Sequence, residues 1–70
     1  MMSKSANRLQ IMVDAAIAIE LKGRSLFSAT ASGEGIEISH STKCGQGKIS
    51  VSWYWGADIE LRIKDYIDTL

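Results

Sequence analysis

The chain has 70 residues, with eight Lys and Arg balanced by eight Asp and Glu, a single Cys and a single His. That length makes one small domain spanning residues 1–70, and the zero net charge provides no overall field to draw it to nucleic acid or to an anionic membrane. Cys44 alone cannot form an internal disulfide, and one thiolate with one imidazole falls short of the four-ligand set of a structural zinc, so neither reinforcement is available to the fold.

From Ala6 to Lys22 the chain is rich in Ala, Ile and Leu and free of glycine and proline, and Gly23 follows directly, which predicts a helix with a stop signal. At about 100° per residue, Leu9, Met12, Val13, Ala16, Ile17 and Ile19 form one broad apolar arc expected to face the core. Ser3 or Ser5 suits the start as a cap, and Lys22 suits the negative C-terminal end. Two features depart from this pattern. Ile11, Ala15 and Ala18 make a smaller apolar strip on the far side, read either as ordinary surface or as a contact with a second copy. Glu20 falls inside the main arc, read either as a frayed last turn reaching water or as a buried, paired carboxylate.

From Ser25 the period changes to alternation. Phe27, Ala29 and Ala31 alternate with Ser28, Thr30 and Ser32; Ile36 and Ile38 with Glu37 and Ser39; and Ile49, Val51, Trp53 and Trp55 with Ser50, Ser52 and Tyr54. Glycine-bearing links at Gly33-Glu34-Gly35 and from Lys43 to Gly47 join them, which predicts a three-stranded antiparallel meander. One face is expected to carry Phe27, the isoleucines, Val51 and both tryptophans under the helices, and the other to carry hydroxyls, Glu37 and Tyr54 toward solvent.

Between Asp58 and Leu70, Ile59, Leu61 and Ile63 alternate like a strand, but Ile59, Ile63, Tyr66, Ile67 and Leu70 follow a helical face over a longer span. Helix is therefore the expectation, with Asp58 as N-cap and Glu60 and Lys64 as a spaced ion pair. Asp58, Leu61, Asp65 and Asp68 then cluster on the outward side, as an acidic stripe around one leucine or simply a solvated face. The fold class is α+β, two-layered, in the order α-β-β-β-α, with both helices on one face of the sheet.

Little in the chain points to chemistry. His40 and Cys44 are the only nucleophile and base of note; alternation turns His40 inward, where a hydrogen-bonded structural role outweighs catalysis, and no enzymatic activity or cofactor is expected. The glycine pairs lie between strands and do not open a helix, so they are not a phosphate-binding loop. Trp53-Tyr54-Trp55 raises base stacking, but the period turns both indoles inward and no basic groove accompanies them. The element order matches double-stranded RNA-binding domains, whereas the start of the last helix, Ala57-Asp58-Ile59-Glu60, would repel phosphate. The opening Met-Met-Ser-Lys lacks an apolar run with a cleavage site, and no stretch reaches the roughly 18 apolar residues of a spanning helix, so a cytoplasmic protein without membrane contact is expected.

Two stretches, Asp14-Ala15-Ala16-Ile17-Ala18-Ile19-Glu20 and Arg62-Ile63-Lys64-Asp65-Tyr66-Ile67-Asp68, resemble a small phage-encoded anti-CRISPR protein of the kind that inhibits type I surveillance complexes. In that family an Ala/Ile-rich helix precedes a small antiparallel sheet, and a helix with an Ile-Lys-x-Tyr core closes the chain. The resemblance implies a stoichiometric inhibitor occupying a basic nucleic-acid channel, with Asp58, Asp65 and Asp68 standing where phosphates would sit and Leu61 as an apolar anchor. Such mimics are strongly acidic and this chain is neutral, so mimicry is confined to the local stripe. The expected partner is thus a protein that handles nucleic acid, engaged through Asp58, Leu61, Asp65 and Asp68 and through the polar sheet face at Tyr54, Ser50 and Ser52. The alternative is a self-associating structural or regulatory module, a homodimer formed through Ile11, Ala15 and Ala18.

Overall fold

The computed structural model describes residues 4–70, with side chains from Arg8 onward. Helix α1 (Lys4–Leu21) leads into strands β1 (Leu26–Ala31), β2 (Gly35–Thr42) and β3 (Gly45–Ser52), then a 3-10 turn (Trp53–Trp55) and helix α2 (Asp58–Asp68). The sheet is an antiparallel meander in the order β1-β2-β3, with α1 lying against β1 and α2 against β3, so the α+β order expected from the sequence is the one observed.

Alternation sorts the two faces. Ile36, Ile38 and His40 of β2 and Ile49 and Val51 of β3 are buried on the helix side, while Glu37 and Ser50 are exposed on the other. From α2 the core receives Ile59, Ile63 and Ile67, the helical set i, i+4, i+8. Gly23, with φ +82°, ends α1 in the left-handed region that a side chain disfavours, and its N–H donates to the Glu20 carbonyl. Arg24 then donates from Nη2 to the Leu70 carbonyl at 2.8 Å, tying the start of β1 to the end of α2.

Four expectations are corrected. Helix α1 buries its narrower strip together with one edge of the broad arc: Ala15 is 3% exposed with Ile11 and Ala18 packed against the core, and of the arc Ile19 is fully buried and Met12 packed as expected, whereas Leu9, Val13 and Ile17 are exposed. Ile11, Ala15 and Ala18 thus lie on the side of α1 that faces the core and α2, not on its far side. Two physical reasons favour this orientation. Small side chains let α1 approach α2 and the sheet closely, and burying the broad arc would drag Glu20 out of water with no partner; Glu20 is exposed.

The second correction concerns β1, where the register shifts between Leu26 and Ser28. Phe27 is the extra residue of this bulge and is exposed, while Leu26 pairs with His40 and packs against the core. Third, β3 stops at Ser52 because β2 begins at its partner Gly35 and provides no pairing beyond it. The chain folds into the 3-10 turn, in which the Ser52 hydroxyl accepts from the Tyr54 N–H at 3.2 Å and the Trp53 N–H donates to the Glu34 carbonyl at 3.0 Å. Trp53 is only partly buried, its indole N–H donating to the Ser32 carbonyl at 2.7 Å, and Trp55 is exposed. Fourth, Ala57 and not Asp58 occupies the cap position of α2, without a side-chain cap; Asp58 and Glu60 lie in the first turn, where their charge favours the helix dipole. Glu60 and Lys64 form no ion pair. The proposed caps Ser3 and Ser5 lie outside the described residues and side chains.

Candidate functional site

The outward face of α2 is built by the same periodicity that buries its isoleucines. With Ile59, Ile63 and Ile67 fixed against the sheet, Leu61 falls on the opposite side of the helix and is 59% exposed, with Asp58, Asp65 and Asp68 around it, all exposed. The sequence-derived stripe is thus assembled as one surface. Among the described residues the single ion pair is Lys48–Glu37, on the far side of the sheet, so these three carboxylates carry their charge without a basic partner. Arg62, the nearest cation in sequence to Leu61, is turned away: its guanidinium lies over the Trp55 ring at 4.6 Å from the centroid. Lys64, exposed one turn before Asp68, stands at the edge of the stripe and makes no described ion pair with it.

Tyr54, Ser50 and Ser52 meet elsewhere, in a shallow depression of about 460 Å³ on the solvent side of the sheet, with Thr30, Glu34, Glu37 and Trp55 also lining it. The Glu37–Lys48 contact of 2.9 Å beside it has both side chains more than half exposed, so it contributes little stability. The depression and the α2 stripe are lined by different residues, and they adjoin at Trp55, which lines the depression and lies under Arg62 of α2.

A third feature escaped the sequence pattern. Ile11, Ala15 and Ala18 of α1 and Ile63 and Ile67 of α2 floor an open groove of about 320 Å³ between the helices, rimmed by Asp14, Glu60, Lys64 and Asp68. Its only signal was the run of small residues on α1, which reads equally as surface or as close helix packing.

His40 and Cys44 do not form a thiol-imidazole pair. His40 is fully buried, with Nδ1 donating to the Ser41 carbonyl at 2.8 Å and Nε2 bonded to the Tyr66 hydroxyl, and Cys44 is exposed on the β2–β3 turn, where its N–H donates to the Thr42 hydroxyl. Burial raises the Tyr66 hydroxyl pKa above its ordinary 10.0. Among the described residues no three His, Cys, Asp or Glu side chains gather as a metal site, and no helix is long and apolar enough to cross a membrane. Comparison with protein families, curated proteins and solved structures gave no significant match.

Proposed function

We propose that this chain is a non-enzymatic protein-binding module that inhibits a larger nucleic-acid-handling complex stoichiometrically, in the manner of the anti-CRISPR proteins it resembles. The observation that supports this reading is the α2 outer face, where an exposed leucine sits among three carboxylates that no described cation neutralises. Such a face suits a basic channel whose walls are spaced for phosphates, with Leu61 filling an apolar site that a strand of nucleic acid leaves empty. Neutrality of the whole chain removes long-range steering, so the association rate is expected near the unsteered range of about 10⁵–10⁶ M⁻¹s⁻¹.

The test is an electrophoretic mobility shift of target DNA by purified type I surveillance complexes, with the chain titrated in. Loss of the shifted band at equimolar chain is expected; an undiminished band at large excess across the complexes tried would refute the inhibitor reading.

A further inference from the structure

We propose that the chain forms a two-fold homodimer in which the outward face of α1 packs on its counterpart while the two β1 edges pair into one continuous sheet. This surface is separate from the α2 stripe and does not depend on the reading given for it.

The observations converge on one side of the molecule. Leu9, Val13, Ile17 and Leu21 recur every fourth residue along α1 and, with Phe27 at the start of β1, are between 39% and 82% exposed. Among the described residues, strand β1 pairs on one side only, with β2, and beyond its bulge the edge over residues 28–31 carries no charge and no proline to block it. By register Ala29 and Ala31 share the helix side of the sheet with Ile38 and Ile36, yet both are exposed, so the inner face beside α1 is left uncovered.

Geometry selects a second copy as the occupant. A free antiparallel edge pairs with itself about a two-fold axis. When that axis is perpendicular to the sheet, both helical layers stay on the same side and α1 meets its counterpart through the Leu9–Leu21 ridge. A two-fold axis lying in the sheet along the strands would bring the edges together in parallel, so antiparallel pairing requires the perpendicular axis. The ridge and Phe27 expose on the order of 500 Å² per copy, so covering them fully on both copies would bury at most about 1,000 Å², the area a specific interface must clear, to which the strand pairing adds. A single core of this size is also the kind that gains from association.

Sedimentation velocity at micromolar to high-micromolar concentration reads the result. The native chain is expected at twice its 7.7 kDa mass, and Ile17→Arg, a change at a half-exposed position that leaves the core intact, at the monomer mass. Val13→Lys should do the same, with circular dichroism confirming that each variant is folded. Leu61→Glu, on the exposed face of α2, should remain dimeric. A native chain that stays monomeric, or a dimer that survives both α1 variants or is lost only in Leu61→Glu, would overturn the proposal.

Discussion

The Tyr66 hydroxyl of α2 and the Nε2 of His40 on β2 lie 2.5 Å apart, with the two rings edge to face at 5.5 Å, and among the described residues this is the one side-chain hydrogen bond between α2 and the sheet. Because Nδ1 is committed as donor to the Ser41 carbonyl, Nε2 accepts and the tyrosine donates. His40 has no exposed surface, so in the folded chain its Nε2 depends on this hydroxyl for a partner.

Tyr66→Phe keeps the ring but leaves a buried acceptor unpartnered. It is expected to destabilise the fold by about 1–3 kcal/mol, read as a lower urea midpoint at neutral pH with an unchanged slope.

The same contact sets an alkaline limit. Burial raises the folded-state Tyr66 pKa above its unfolded value of 10.0, so the folded state holds that proton more tightly. The stabilisation is complete below that value and is lost as pH rises through the folded-state pKa. The stability advantage of the native chain over Tyr66→Phe should therefore shrink in alkaline solution, and a difference in urea midpoint that stays constant with pH would contradict it.

Gly35, where β2 begins, admits no side chain. A Cβ there would fall 1.8 Å from the Val51 carbonyl oxygen, a backbone atom that cannot yield without breaking the β2–β3 ladder. Gly35→Ala is expected to cost more than about 3 kcal/mol and to leave little folded protein, whereas Gly33→Ala, with nothing near the added methyl, should unfold within about 0.5–1 kcal/mol of the native chain.

The orientation of α1 is checked by two isoleucines two residues apart, about 200° around the helix and so on opposite faces. Ile19→Ala removes a fully buried side chain and should cost about 2–5 kcal/mol. Ile17→Ala, at 49% exposure, should cost under about 1 kcal/mol when measured dilute enough to keep the chain monomeric.

These outcomes bear on what the sequence disclosed. Alternation in Ile36, Ile38, Ile49 and Val51 and the fourth-residue spacing of Ile59, Ile63 and Ile67 each admit one buried face, so the strands, α2 and its outer stripe were legible from pattern. Helix α1 is apolar on both sides, and pattern favoured the bulkier arc; the deciding signal was Glu20, whose position in the middle of that arc marks it as solvent-facing. The tryptophans were misplaced because alternation has no knowledge of where a partner strand stops, and β2 stops at Gly35. Phe27 was misplaced by a bulge, which turns on a one-residue shift in pairing that no local composition announces. The turn of Arg62 onto Trp55 lay beyond sequence for the same reason, since it follows from the 3-10 turn.

Leu61 should act as an anchor of the proposed interface. Leu61→Ala is expected to weaken binding to the inhibited complex by about 2 kcal/mol or more, roughly thirtyfold in Kd, without lowering the urea midpoint.

The most direct test compares two charge-altered faces in equilibrium binding to the same purified surveillance complex. Asp65→Lys with Asp68→Lys should raise Kd at least a hundredfold, while Ser50→Lys with Ser52→Lys, on the other side of the sheet, should leave it near the native value. Native affinity in the aspartate double variant would show that α2 is not the face by which this protein works.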